Sequence, residues 1–138
     1  MERKYFEICF DLAKKASKIE EVPIGAIIVQ NGKIIAKSYN LREKRHDITA
    51  HAEILAIKKA SKKLKRWNLS DCCLYVTLKP CSMCNSIINQ SRIKNVYYLY
   101  EKLDYKKEYN KTLYQYCEQD QLSDSYGELL SSFFARKR

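Results

Sequence analysis

"CLYVTLKPCSMCNSIINQSRIKNVYYLY", residues 73–100, is the stretch whose reading decides the fold. It opens on CLYVTL, a short apolar run of the kind that forms a buried strand. Pro80 has no N–H to give a sheet ladder, so the strand stops there. CSMCNSIINQ then starts a helix, and NVYYLY reads as a further strand.

The flanks continue the alternation. Residues 2–18 place Phe6, Cys9, Phe10, Ala13 and Ala16 at spacings of three and four, which predicts an amphipathic helix with a lysine-rich outer face. EVPIGAIIVQ follows, with an apolar run from Ile24 to Val29. Asn31-Gly32 is a two-residue hairpin signal, and KIIAKSYN is the return strand. LREKRHDIT is a polar connection in which Asp47 or Thr49 is expected to cap the next helix. That helix is expected from about Ala50 to Leu64. Its basic end, including Lys58, Lys59, Lys62, Lys63, Lys65 and Arg66, reads as a solvated helix terminus. Beyond Tyr100, residues 101–110 read as a short charged helix or loop, TLYQYC as a fifth strand, and SYGELLSSFFARKR as a closing helix.

The order is α-β-β-α-β-α-β-β-α, without repeat or low-complexity tract. It predicts an α/β fold, a three-layer α/β/α sandwich around a five-stranded mixed sheet. The 138 residues are expected to form a single domain, residues 1–138, and a hydrophobic share of 46 % supplies its core. No apolar stretch is long enough to span a bilayer, and MERKYFEICF lacks a signal-peptide apolar region. A cytoplasmic location is therefore expected. Lysine and arginine total 26 against 16 acidic residues, a net charge of +10. That excess serves solubility, and it also favours a polyanionic partner such as nucleic acid.

Of six cysteines, only Cys81 and Cys84 have ligand spacing. Cys9, Cys72, Cys73 and Cys117 are expected to be free thiols in the interior. A Cys-x-x-Cys after a strand suits a redox pair or half of a zinc site. The redox reading gives His51 and Glu53 no task, whereas the zinc reading uses both. Three nitrogen or sulfur ligands with an open fourth position define a catalytic zinc. Cys81 and Cys84 open one helix, whose positive end favours thiolates. His51 is expected in the first turn of the other. Glu53, two residues on, would face away along a regular helix side, so the metal should sit off the helix end. Glu53 is then free to act as a proton carrier. His46 reads as a polar residue near the mouth of the site.

His51-Ala52-Glu53 followed by Pro80-Cys81-Ser82-Met83-Cys84 resembles the signature of the zinc-dependent cytidine and adenosine deaminases. Val22-Pro23-Ile24-Gly25-Ala26, Asn40, His46-Asp47, Leu74-Tyr75-Val76-Thr77-Leu78, Ser91-Arg92-Ile93 and Leu129-Leu130-Ser131-Ser132-Phe133-Phe134 resemble the bacterial tRNA adenosine deaminases in particular. The resemblance implies a cytidine-deaminase-like fold and hydrolytic deamination of adenosine to inosine at the wobble position of tRNA anticodons. It implies one Zn2+ per subunit on His51, Cys81 and Cys84, with Glu53 as the catalytic acid/base. It implies substrate contacts from Asn40 and the Ala52 backbone. The basic end of the chain suggests further contacts from Phe133 and Phe134, although one ring of that pair suits helix packing. The expected partners are a tRNA anticodon stem-loop and a second copy of the chain in a homodimer.

Two departures stand out. Lys79 occupies the glutamate position of the family's Thr-Leu-Glu-Pro-Cys, and Leu99-Tyr100-Glu101-Lys102 replaces Gly-Ala-x-Asp. A deaminase of guanine, a free nucleoside or deoxycytidylate is the alternative, as is a non-catalytic zinc- or RNA-binding module. A structural zinc, however, needs no Glu53.

Overall fold

The computed structural model describes residues 2–101 and 112–136. The helix-or-loop reading of residues 101–110 falls almost wholly outside them, as do Lys137 and Arg138 of the basic tail. The elements are α1 (Arg3–Lys18), β1 (Gly25–Gln30), β2 (Lys33–Tyr39), α2 (Ala52–Leu64), β3 (Cys72–Leu78), α3 (Ser82–Gln90), β4 (Asn95–Tyr100), β5 (Leu113–Tyr116) and α4 (Asp120–Arg136). They follow the predicted order.

The five strands lie in the order β2-β1-β3-β4-β5. β1 pairs antiparallel with β2 and β3, while β3–β4 and β4–β5 are parallel, so the sheet is mixed. Asn31 and Gly32 have φ of 48° and 75°, the left-handed pair that a tight turn between twisted strands requires.

Alternation along β1 explains the three layers. Ala26 and Ile28 join a core with Ile54, Ile57 and Ala60 of α2 and Ile88 of α3. Ile27 and Val29 join a second core with Phe6, Cys9 and Ala13 of α1 and Tyr126 and Leu130 of α4. Both faces are buried, so the strand reads as a continuous apolar run. Adjacent Cys72 and Cys73 are divided the same way, one packing on each core, and all six cysteines are free.

Gly25 lets α1 approach β1 closely. A Cβ there would fall 2.1 Å from the Cys9 carbonyl oxygen. β2 forms one edge of the sheet, with Lys33 and Lys37 exposed and a register shift opposite Ile28 and Val29. The Lys59 ammonium of α2 donates to the Lys37 carbonyl at 2.8 Å. Among the described residues no helix is long and apolar enough to cross a membrane.

Candidate active site

β2 and β3 are both antiparallel to β1, and β4 is parallel to β3, so all three end along one edge of the sheet. The chain leaves β2 through Asn40 and, after a loop, enters α2. It leaves β3 through Pro80 and enters α3. His51 and Cys81 are the N-cap residues of these two helices, both with extended backbone, and neither side chain caps its own helix. His51 thus stands one step before the first turn where sequence reasoning placed it. Both helices point their positive ends at one spot.

The freed side chains converge there. His51 Nδ1 lies 3.8 Å from Cys81 Sγ and 3.5 Å from Cys84 Sγ. The ligand atoms of all three residues lie within 4.8 Å of one another. Tetrahedral zinc, with bonds of about 2.3 Å to sulfur and about 2.0 Å to nitrogen, sets nitrogen and sulfur about 3.5 Å apart. The cluster has that size, and one imidazole with two thiols is a donor set zinc takes. The residues fit the metal.

The two thiols titrate as a pair. A hydrogen bond from Cys84, and then one from His51, hold Cys81 down to about 4. The same contact with Cys81, with burial, pushes Cys84 well up. Hydrogen bonding to Cys81 raises His51. The lowered Cys81 thiol favours the thiolate form, and a metal held here would displace the proton of Cys84.

Glu53 is 3 % exposed. Burial raises its carboxyl to about 7, and the Cys84 thiol is within hydrogen-bond reach of it. Its buried Oε1 has no hydrogen-bond partner among the described residues. Buried polar atoms are rarely left so, and an orphan here marks a place for a water or a substrate group.

Asn40 is buried at 4 % and Ala52 at 0 %, the first just after β2 and the second as the first residue of α2. They flank the loop that ends at His51. Phe133 is 3 % exposed and packs as an interior side chain, so it presents no ring face to a ligand. Phe134 is 39 % exposed and meets Phe133 edge-on at 5.5 Å. Of the pair expected to touch substrate, only Phe134 has a surface to offer. The expected cap at Asp47 or Thr49 is corrected. Asp47 Oδ1 accepts from the Thr49 N–H at 2.9 Å and its hydroxyl at 2.7 Å, closing a local turn instead. His46 is exposed, with φ of 51°.

Two further acidic residues have partners that the sequence did not show. Glu101 pairs with Lys79 at 2.9 Å, and Lys79 also lies over the Tyr98 ring at 5.5 Å. The two departures from the family pattern thus face each other, and their opposite charges were the available signal. Glu21 is fully buried, although a glutamate just after a helix reads as a solvent residue. A cavity of about 860 Å³ opens at the opposite edge of the sheet, lined by Asn68, Arg92, Lys94 and Leu113 among others. No member of the metal cluster lines it, so it has no part in this chemistry.

Residues 1–100 match the family model for the cytidine and deoxycytidylate deaminase zinc-binding region. The tRNA-specific adenosine deaminase of Aquifex aeolicus is 39 % identical over 100 % of the chain and 97 % of its own length. The chloroplastic tRNA(adenine(34)) deaminase of Arabidopsis thaliana is 52 % identical over 84 residues, 61 % of this chain but only 6 % of that protein. A solved structure from a study of A-to-I editing by tRNA deaminases at the wobble position is 40 % identical, with a TM-score of 0.70, covering 72 % of this chain and 76 % of that one. The guanine deaminase of Bacillus subtilis is 31 % identical, with a TM-score of 0.69, covering 93 % and 94 %. The chain belongs to the zinc-binding cytidine and deoxycytidylate deaminase family, and within it to the tRNA-specific adenosine deaminases.

Proposed function

We propose that the chain hydrolyses adenosine to inosine at the wobble position of tRNA anticodons, with zinc on His51, Cys81 and Cys84. The observation that carries this reading is Glu53, buried beside His51, Cys81 and Cys84 with one oxygen that has no hydrogen-bond partner among the described residues. A zinc ion held there supplies Lewis acidity that makes water a competent nucleophile near neutral pH. Glu53 takes a proton from the attacking water and delivers it to the purine ring as the oxygen adds at C6. It then takes the proton of the new C6 hydroxyl and passes it to the amino group, so that the C6–N bond breaks, ammonia leaves and the C6 carbonyl forms. A carboxyl that titrates at about 7 suits both directions of transfer. Asn40 and the Ala52 backbone hold the base, and Phe134 with the basic chain end contributes to the RNA surface. An anticodon loop already leaves its bases partly unstacked, which lowers the work of extrusion.

The whole chain is taken as one deaminase domain with one zinc per subunit, acting as a homodimer in the cytoplasm. The names of the curated relatives support the substrate. The likeness to a guanine deaminase at 31 % identity favours a second reading, deamination of a free base. Incubation with an anticodon stem-loop, free adenosine and guanine, read as product by mass spectrometry, separates the two. Inosine in the stem-loop with little turnover of the free compounds is expected. Efficient turnover of guanine without stem-loop editing overturns the proposal. Light scattering tests the dimer.

A further inference from the structure

We infer that Glu21 is a positioning residue for the nucleic-acid substrate: its buried carboxylate holds the basic turn at residues 42–46 beside the candidate active site. The inference rests on the reading of the chain as a tRNA deaminase.

The loop from Leu41 to Ala50 leaves from Asn40 and returns at His51. Its neck is closed by the Leu41 N–H donating to the Ala50 carbonyl at 2.9 Å. Within it, the Arg45 N–H donates to Leu41 and the Asp47 N–H to Arg42, at 3.0 and 3.1 Å, so residues 42–46 wind as a single turn. Lys44, Arg45 and His46 are exposed on that turn. With Asn40 and the Ala52 backbone proposed to hold the base at the two ends of this loop, its exposed Lys44 and Arg45 are offered to the phosphates that flank that base.

A lone turn leaves its first N–H groups without acceptors of its own. Here the Glu43 and Lys44 N–H groups donate to Glu21 Oε1 and Oε2, at 3.0 and 2.6 Å. Glu21 therefore caps the turn from a distant part of the chain, one oxygen to each amide. Among the described residues no salt bridge ties Glu21 to a cation, and its side chain is 0 % exposed. A buried carboxylate is tolerable only with strong donors, and these two amides supply them.

The end of α1 aims Glu21 inward. The Glu21 N–H donates to Ala16 and the Glu20 N–H to Ser17, closing the helix with Glu20 at a φ of 64°. Glycine usually fills that left-handed position. With glutamate there, Glu20 faces out and meets Arg136 of α4 at 3.4 Å, while Arg136 also donates to Ser17 at 3.2 Å. Two consecutive glutamates thus fasten two basic elements, the turn and the end of α4, to one helix end.

The test uses the full zinc-loaded chain carrying Glu21→Gln, which keeps the volume but sets an amide NH2 against one of the two N–H donors. Site-resolved hydrogen exchange at the Glu43 and Lys44 amides should accelerate. KM for an anticodon stem-loop should rise by about tenfold, the scale of one lost charge-assisted hydrogen bond. Turnover at saturation should stay within about twofold, the signature of lost binding without lost chemistry. Zinc content should hold. Val96→Ala, a core truncation in β4, controls for lowered stability alone. Unchanged exchange at the two amides overturns the inference. So does a KM rise no larger than that of Val96→Ala, or a loss of zinc with the turn intact. Glu21→Asp, with the carboxylate one methylene short, is read the same way if Glu21→Gln does not fold. If the wild-type chain edits no stem-loop, the substrate reading fails instead, and exchange alone decides whether Glu21 holds the turn.

Discussion

Glu53→Gln separates chemistry from architecture. The substitution keeps size and shape and removes only the ability to accept and return a proton. Glu53 is 3 % exposed, and its Oε1 has no partner among the described residues, so that atom has no bond to lose. Burial already pushes the carboxyl toward its neutral form, so a neutral amide suits the site as well. Stability is therefore expected to change by less than about 1 kcal/mol in either direction. The rate is a different matter. A general acid/base contributes about 10²–10⁴-fold. At about 1.4 kcal/mol per tenfold, that corresponds to about 3–6 kcal/mol of barrier. Glutamine is preferred to alanine because a cavity beside the metal would confound the two effects. The assay is single-turnover inosine formation in an anticodon stem-loop, with zinc content and thermal unfolding measured on the same sample. Zinc lost together with activity would show that Glu53 helps hold the metal. Activity within tenfold of wild type would show that it does not carry the proton.

Cys84→Ser alters a buried member of the candidate ligand set and is expected to lose zinc and stability together, because binding at such a site is coupled to folding; full metal occupancy by elemental analysis contradicts the proposed ligands. Gly25→Ala forces a Cβ to 2.1 Å from the Cys9 carbonyl, a backbone atom that cannot step aside, so chemical denaturation should show at least the ~1–3 kcal/mol of an overpacked core. Asp71 is held down to about 2 by the side-chain amide of Gln30 and then by Arg66, at 2.8 Å each. A depressed carboxyl stabilises the fold above its ordinary value of 3.8 and loses that contribution as the pH falls toward 2. Gln30→Leu should therefore move the Asp71 titration, followed by NMR, back toward 3.8 and leave a flatter acid limb in the stability curve; an unmoved titration means Gln30 is not the main cause.

Much of this fold was legible because local and global preferences agree. The run from Ile24 to Val29 reads as a strand buried on both faces, and β1 has a core on each side. Asn31-Gly32 specifies its turn without help from the rest of the chain. Legibility fails where a side chain has another task. His51 and Cys81 occupy N-cap positions without capping, so reading helix starts from capping chemistry misplaced α2 by two residues and nominated Asp47 and Thr49. The apolar pattern starts the closing helix at Ser125, whereas α4 starts at Asp120. Gly127 lies inside the closing helix, as its stretch was expected to. The Tyr100 ring fills the space a Cβ there would need, at 2.9 Å, which is why glycine serves at that position. The grouping of His51, Cys81 and Cys84 was expected from the Cys-x-x-Cys spacing, the task it left for His51 and the family resemblance, and the three side chains do converge. Glu21 was not legible, because only the tertiary structure shows which amides a distant carboxylate meets.

The outer rim of β2 bears on how the protein behaves when crowded. A strand with no neighbour on one side is a template for another chain, and self-association into extended sheets starts at such places. Lys33 and Lys37 stand exposed along this one, and Lys59 reaches from α2 to engage the Lys37 carbonyl. The register shift opposite Ile28 and Val29 adds local twist, which spoils a flat match with a second strand. Three lysines placed at one seam guard it better than the net charge of +10 spread over the whole surface. Exchanging them for small neutral residues would leave both cores intact and uncover the strand edge, so self-association followed by light scattering should rise.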